Sequence, residues 1–263
     1  MHEKKQLFEE LRRLGVQPGD AVLMHSSFRS LGGVEGGAAG LFDVLADAVG
    51  DGTLILPALS YYWVSAEQTV FDLRDTPACP GIGYLPEYFR TQVPGVRRSL
   101  HPTHSCCMLG RDAEWLAAGH DLDDTPVGRH SPFAKLPALD GWILMLGCSP
   151  DRNTSMHGVE ETAEPDYLLD RAHPIRYTLR DERGEPRDHW AIPHSFHRDG
   201  FRFEQRYGRI LPLLQGDELR RGRVGDADCV MMRARAVWER GRQALHRDPH
   251  FFVDRVPDGA ETC

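Results

Sequence analysis

The apolar stretch Trp142-Ile143-Leu144-Met145-Leu146-Gly147 decides the fold class. A short run without polar interruption predicts a strand that is buried on both faces. Ala21 to Met24 and Thr53 to Leu59 have the same character, and turn residues such as Pro18-Gly19-Asp20 and Gly50-Asp51-Gly52 precede them. Because helical patterns separate these strands, we predict an α/β fold with a sheet covered by helices on both faces.

Apolar residues outside these strands recur at helical spacing. Leu7, Leu11 and Leu14 form one stripe of a helix predicted over Glu3 to Leu14. Further helices are predicted over Ala38 to Val49, Leu211 to Leu214 and Ala234 to Leu245.

A β-hairpin is predicted beyond residue 174. Ile175 to Arg180 and a second extended stretch through Ile192 flank the polar, Gly-containing connection Asp181 to Glu185. Val256 to Cys263 is interpreted as a frayed tail. With no internal repeat or linker, residues 1–263 are predicted to form a single domain, with a mixed central sheet flanked by helices and an antiparallel hairpin insertion.

Composition excludes several classes of function. Lys and Arg total 31 against 39 Asp and Glu, and the formal net charge of -8 argues against binding to a nucleic-acid backbone. The sequence has no run of about 18 apolar residues, so no membrane-spanning helix is predicted. Six cysteines lack the Cys-x-x-Cys spacing, so we expect reduced thiols and a soluble cytoplasmic protein. Thirteen histidines leave open where the chemistry lies.

The loop from His25 to Gly37 leaves a predicted strand and enters a predicted helix. Backbone N–H groups at such a position can bind the phosphates of a cofactor, and glycines allow close approach. The loop matches neither common glycine-rich phosphate motif, so a plain connection is the alternative. Ser26 or Ser27 could be a hydrolase nucleophile, but the Gly-x-Ser-x-Gly elbow is absent.

A second polar segment runs from Arg97 to Gly110 and combines arginines, histidines and hydroxyls. Arginines here can neutralise phosphates, and hydroxyls or imidazoles can donate to an acyl oxygen. A polar turn with solvated arginines is an equally good interpretation.

The segment from Asp151 to Glu161 follows the Trp142 to Gly147 strand and carries the strongest catalytic pattern. His157 and Glu160 lie three residues apart on one face of a predicted helix that Asn153, Thr154 or Ser155 can cap. An imidazole with a pKa near 6.5 accepts protons at neutral pH, and a carboxylate beside it stabilises the imidazolium. The alternative is a surface histidine with a glutamate neighbour.

Metal binding is a further alternative. His101 with His104 and His194 with His197 are His-x-x-His pairs, and His157 with Glu160 would add a carboxylate. A metal-dependent hydrolase could be assembled from them, although none matches the His-Glu-x-x-His pattern. We therefore assign no metal ligand at this stage.

Several motifs, taken together, resemble the aminoglycoside 3-N-acetyltransferase family of antibiotic N-acetyltransferases. They occur in one order, across roughly residues 5 to 165. The motifs are His25-Ser26-Ser27 with Leu31-Gly32 and Gly36-Gly37, Gly83 to Glu87 with Phe89-Arg90, Pro94 to Val96 with Arg98-Ser99 and His101 to Ser105, Thr125-Pro126 with Ser131 to Phe133, and Leu146-Gly147 with Asn153 to Ser155, His157 and Glu160.

The resemblance implies direct transfer of an acetyl group from acetyl-CoA to an amine. It implies His157 as the general base, Glu160 as its orienting carboxylate and Thr154 as a donor to the oxyanion or the thiolate. The implied cofactor contacts are Ser26, Ser27, Ser30, Leu31, Gly32, Arg98, His104 and Ser105. Glu161, Glu164 and Asp166 are expected to contact the acceptor because a polycationic aminoglycoside needs an acidic pocket, with a solvated acidic helix end as the alternative. His194 is expected to face the same pocket, with a place at the end of the hairpin as its alternative.

More than one kind of acceptor fits the sequence around Glu160. An acidic cluster from Glu160 to Asp170 would suit a polycationic aminoglycoside. However, the sequence after Glu160 departs from that of the resistance enzymes, so an amine or hydroxyl of another small metabolite stays an alternative acceptor. A CoA-binding protein without catalysis is a further alternative, and either a monomer or a homodimer is expected.

Overall fold

A seven-stranded mixed sheet forms the centre of the structure, a computed structural model that describes residues 1–259. The helices in these residues are α1 Lys4–Leu14, α2 Gly37–Val49, α3 Tyr84–Gln92, α4 Ala113–Ala117, α5 Pro132–Lys135, α6 Ser155–Ala163 and α7 Ala234–Arg247. The strands are β1 Ala21–Ser26, β2 Thr53–Pro57, β3 Val70–Asp72, β4 Arg97–Arg98, β5 Cys106–Gly110, β6 Trp142–Leu146, β7 Ile175–Arg180, β8 Pro186–Ala191, β9 His197–Arg198, β10 Phe201–Gln205, β11 Leu219–Val224, β12 Ala227–Arg233 and β13 Val253–Pro257.

The central sheet has the strand order β11-β12-β6-β1-β2-β5-β4. Strand β1 pairs in parallel with β2 and β6, whereas the outer strands pair antiparallel. The three apolar stretches of the sequence are thus the three adjacent central strands, and the predicted α/β class with a mixed sheet is confirmed. Because β6, β1 and β2 are parallel, their carboxyl ends lie at one edge of the sheet, where open α/β sheets bind ligands.

Alternate side chains of the central strands enter two separate cores. Leu144 of β6 packs in the core that contains Leu7, Leu11 and Leu14 of α1. Ile143, its neighbour, packs in the opposite core with residues of α6 and α7. The sheet is therefore covered on both faces, as the continuous apolar strands predict.

Helix α6 packs closely against α7. A Cβ atom at Gly158 would lie 2.5 Å from the Trp238 ring, and one at Gly241 would lie 2.7 Å from Val159. Glycine is needed at both positions because any larger residue would push the helices apart. This contact fixes α6, the helix that carries His157, against the sheet.

The predicted hairpin is confirmed as the antiparallel pair β7 and β8. The structure adds β3 in parallel to β7, a pairing between distant segments that the sequence does not reveal. The tail prediction is wrong for Val256 and Pro257, because they belong to β13 and pair with β10. Residues 260–263 of that predicted tail lie outside the described residues. The division into a single domain stays a prediction.

Two further predictions concern cysteines and membranes. Cys79, Cys106, Cys107, Cys148 and Cys229 are all free thiols. Cys263 lies outside the described residues. Among residues 1–259, no helix is both long enough and apolar enough to span a bilayer.

Candidate active site

A cavity of about 950 Å³ opens at the carboxyl ends of the parallel strands. Its walls include Met24 to Arg29 at the end of β1, Pro57 at the end of β2, and Cys148 to His157 in part, after β6. The hairpin strand β8 closes it through Ala191 and the residues that follow. This volume suits a ligand of cofactor size.

His157 lies in this cavity on the first turn of α6, and its Nδ1 atom is 2.8 Å from the Tyr207 hydroxyl. Tyr207 donates its one hydroxyl proton to Glu160 Oε2 at 2.6 Å. The phenol oxygen must therefore accept from His157 Nδ1–H. This arrangement places the proton of the neutral imidazole on Nδ1 and leaves the lone pair of Nε2 free to act as a base.

Glu160 acts on His157 mainly through this tyrosine. Its Oε2 lies 3.7 Å from His157 Nδ1, beyond hydrogen-bond distance. Tyr167 donates to Oε1 at 2.7 Å, so both carboxylate oxygens are bound while the side chain is fully buried. Burial, followed by the Glu160 charge, raises the pKa of Tyr207 well above its usual value. Tyr207 therefore remains a protonated donor.

Two other predicted residues, His104 and His194, join His157 in the cavity. The ring centroid of His157 is 4.9 Å from that of His194 and 5.8 Å from that of His104. His194 donates from Nε2 to Glu161 Oε1 at 2.8 Å. Thr154, at the N-cap of α6, also lines the cavity and is buried. The structure thus brings together predicted residues from three distant segments.

His104 and His157 are held in the neutral form. Burial lowers the pKa of His157 below its usual value, against the opposing effect of its partner Glu160. Burial, with the neighbouring histidines, lowers the pKa of His104 further. A neutral imidazole has a lone pair, which a general base requires.

The loop after β1 contributes only its first residues to the cavity. Ser26 and Ser27 line it, as predicted for cofactor contacts. Ser30 instead forms a hydrogen bond with Ser27, Oγ to Oγ at 2.7 Å, and lies outside the lining. Leu31 is fully buried in the core, and Gly32 adopts φ +79 beside Asp226. Ser30, Leu31 and Gly32 therefore do not line the cavity.

The placement of Arg98 does not support the predicted phosphate contact. Its guanidinium is buried and donates to the backbone oxygens of Ala58 at 3.1 Å and Thr76 at 2.5 Å, and to Ser105 Oγ at 2.9 Å. Ser105 in turn donates to Ala58 O at 2.7 Å and has no exposed surface. Because neither side chain reaches the cavity, both serve to hold loops together.

Among residues 1–259, the carboxylates of the predicted acidic acceptor pocket do not line the cavity. Glu164 is exposed and pairs with Arg171 at 2.9 Å, and Asp166 is exposed and lies 3.2 Å from His250. Glu161 is buried behind His194 and binds it directly. Within residues 1–259, Asp151 is the one carboxylate of the cavity wall.

Several residues that line the cavity are not predicted as site residues from the sequence. Arg29 and Arg152 line it and offer cationic groups for phosphates. Tyr61 and Tyr84 form an aromatic part of its rim, being 50% and 59% exposed. Tyr207 comes from a 3-10 helix fifty residues beyond His157. Its surroundings in sequence offered no signal, since a lone tyrosine has no characteristic spacing.

The cavity offers no activated nucleophile among its described residues. Burial raises the pKa of Cys148 to about 12, so its thiol stays protonated at neutral pH. Ser27 bonds to Ser30 rather than to an imidazole. A base without a paired nucleophile suits attack by the substrate's own amine or hydroxyl.

Comparison with known proteins shows the family to which the chain belongs. The sequence model of the family described as "Aminoglycoside 3-N-acetyltransferase" matches residues 23–246. Aminoglycoside N(3)-acetyltransferase IV from Salmonella sp is 32% identical over 260 residues, which cover 97% of this chain and 92% of that protein. Aminoglycoside N(3)-acetyltransferase III from Pseudomonas aeruginosa is 32% identical over 258 residues, which cover 89% of each.

Solved structures agree over nearly the whole chain. The apoenzyme of aminoglycoside acetyltransferase AAC(3)-IVa has a TM-score of 0.77 at 30% identity, covering 95% of this chain and 90% of that one. AAC-IIIb, solved in a binary complex with CoASH, has a TM-score of 0.78 at 26% identity and covers 99% of both. The fold and site therefore define an acyltransferase. The chain belongs to the aminoglycoside 3-N-acetyltransferase family, whose cosubstrate is acetyl-CoA.

The buried histidines make the stability of the protein depend on pH. Burial lowers the pKa of six of them, namely His25 (to about 3), His101, His104, His120, His157 and His189. Unfolded histidines take up protons near pH 6.5, whereas the folded ones do not, so acid favours unfolding. We predict that the free energy of unfolding falls below this pH, by up to about 1.4 kcal/mol per pH unit for each histidine.

Urea denaturation between about pH 7.5 and pH 5.5 measures this dependence. His246, exposed on α7, provides the control, because His246→Ala should leave the slope unchanged. A free energy of unfolding that is constant across this range would contradict the prediction.

Proposed function

We propose that the protein transfers the acetyl group of acetyl-CoA directly to the 3-amino group of an aminoglycoside, with His157 as general base. The observation that carries the proposal is the bond from His157 Nδ1–H through Tyr207 to Glu160, which leaves Nε2 free in the cavity. A variant of AAC(3)-IVa is known in complex with a gentamicin, which supports this class of acceptor. We expect the enzyme to act in the cytoplasm, as a monomer or a homodimer.

The base addresses the first charge problem of the reaction. An aminosugar amine is largely protonated at neutral pH, so it needs to lose a proton before or during attack. That proton passes to solvent, and the nitrogen then loses a second proton to His157 Nε2 as the amide bond forms. The positive charge on the ring is stabilised through Tyr207 by the buried Glu160. Glu160 thereby acts as a positioning residue.

The second charge problem lies at the thioester. When the amine nitrogen bonds to the carbonyl carbon, the oxygen becomes negative; when the C–S bond breaks, the charge passes to the thiolate. Thr154, one turn from His157 in the cavity, is the proposed donor to either group. The imidazolium returns its proton to the thiolate, which gives CoASH and the amide.

The acyl donor is assigned to the wall formed after β1 and β6. Arg29 and Arg152 supply positive charge for the phosphates of CoA in place of Arg98. Ser26, Ser27 and His104 offer polar groups to the pantetheine arm or the acetyl oxygen. The rim tyrosines Tyr61 and Tyr84 add flat apolar surface.

One observation favours a second acceptor class. The described cavity wall has Asp151 as its carboxylate but two arginines, which is a poor match to a polycationic sugar. A small metabolite with one amine or hydroxyl would need fewer carboxylates. The Glu160 and Glu161 charges, buried just behind the histidines, contribute the remaining negative potential for an aminoglycoside.

Replacement of His157 tests the proposed base. We predict that His157→Ala lowers kcat by roughly 10²- to 10⁴-fold, the usual contribution of a general base. The KM for acetyl-CoA should change little. Release of CoA thiol, with acetyl-CoA and a panel of aminoglycosides, measures both, and mass detection confirms the added acetyl group.

His197→Ala is the matched control, because His197 is exposed and lies outside the cavity wall. Turnover by His157→Ala at the rate of this control would remove His157 as base. Transfer to a small amine but to no aminoglycoside in the panel would favour the second acceptor class.

The role of Tyr207 yields a further prediction. Tyr207→Phe keeps the ring but removes the oxygen between His157 and Glu160, so the imidazolium loses stabilisation. We expect kcat to fall by about 10- to 100-fold, as for other groups that orient a functional histidine. The acid limb of the kcat profile should move to lower pH, since the pKa of His157 falls.

Tyr167→Phe is the control for this experiment. This variant also removes a tyrosine hydroxyl that donates to Glu160. However, Tyr167 donates to Oε1, whereas Tyr207 donates to Oε2. Tyr167→Phe should lower kcat less than Tyr207→Phe does, and it should shift the acid limb of the kcat profile less. Equal effects of the two variants would contradict a specific role for Tyr207.

A further inference from the structure

We propose that His104, His157 and His194 form a binding site for Zn²⁺, and that bound Zn²⁺ reversibly blocks acetyl transfer. The metal site stands on geometry alone, whereas its inhibitory effect rests on the proposed role of His157 as base. In this view the metal is a regulator of the enzyme rather than a resident catalytic group.

The three rings are close enough to share one ion. When one ring nitrogen is taken from each histidine, the three nitrogens all lie within 4.8 Å of one another. Three nitrogens around a tetrahedral zinc, at bonds of about 2.0–2.1 Å, are about 3.3 Å apart. Binding therefore requires the ring nitrogens to move closer together. Each of these histidines belongs to a different pair noted in the sequence. The other members of the three pairs, His101, Glu160 and His197, are not among the three clustered ligands.

The second nitrogen of each ring already has an oxygen partner. Nε2 of His194 donates to Glu161 at 2.8 Å, Nδ1 of His157 contacts Tyr207 at 2.8 Å, and Nδ1 of His104 lies 3.0 Å from Thr103 Oγ1. Histidines that bind zinc usually have such a partner, which fixes the tautomer and the ring orientation. Nδ1 of His194 and Nε2 of the other two remain for the metal.

The surroundings also match the charge of the ion. Glu160 and Glu161 lie immediately behind two of the rings, and their side chains are 0% and 6% exposed. Two buried carboxylates compensate the charge of a divalent cation, which a buried site requires.

A metal in this site would compete with catalysis. The Nε2 lone pair of His157 cannot bind Zn²⁺ and accept a proton from the acceptor at the same time. Three protein ligands leave a fourth position of a tetrahedral ion for water. The ion and its water would occupy the space in which the attacking amine must sit.

Binding is measured first, on untagged full-length protein. Co²⁺ is titrated as a spectroscopic substitute, because tetrahedral coordination gives an intense visible band, and Zn²⁺ is then added to displace it. We expect one ion per chain. His104→Ala, His157→Ala and His194→Ala should each weaken binding at least about 10-fold, whereas His197→Ala should bind as the wild type does. Thermal unfolding verifies that each variant folds.

Inhibition is measured on the wild type, so it does not depend on the folding of any variant. Initial rates of acetylation, followed by mass detection, should fall in proportion to Zn²⁺ occupancy and return on addition of EDTA. Absence of stoichiometric binding, or binding by the three variants equal to that of the wild type, would overturn the site. Full activity of the zinc-loaded enzyme would overturn the inhibition. If no acceptor is acetylated even without metal, the proposed function fails while the binding result stands.

Discussion

The hydrogen bond between His157 and Tyr207 is the contact on which the proposed chemistry of this protein depends. A tyrosine has one proton, and here it is donated to Glu160, so the imidazole must present its own N–H to the phenol oxygen. That constraint selects one tautomer. It also connects the proposed base to a buried negative charge without exposing that charge to the cavity.

The rest of the fold serves to hold these three side chains in place. The parallel strands β6, β1 and β2 gather the loops that form the cavity at one edge of the sheet. Gly158 and Gly241 allow α6 to approach α7, which fixes the helix of His157 and Glu160. The hairpin side supplies His194, and the segment beyond β10 supplies Tyr207. The proposed catalysis thus depends on contacts between segments far apart in sequence.

Sequence patterns were sufficient for the local parts of this arrangement. Apolar strands and helical stripes are periodic features, so they predicted the central sheet correctly, and the His157–Glu160 spacing identified two residues that the structure holds close together. Long-range partners have no such pattern. The sequence could not show that the Tyr207 hydroxyl lies between His157 and Glu160. Nor could it show that the Arg98 guanidinium donates to backbone oxygens or that Glu164 faces solvent. Each outcome depends on tertiary packing rather than on neighbours in the chain.

The tautomer of His157 tests the central claim most directly. Long-range ¹H–¹⁵N correlation spectra of histidine-labelled protein at neutral pH report which ring nitrogen carries the proton, and comparison with His157→Ala assigns the signals. The account predicts a protonated Nδ1 and an unprotonated Nε2 for His157. A ring protonated on Nε2, with the lone pair on Nδ1 facing Tyr207, would contradict it.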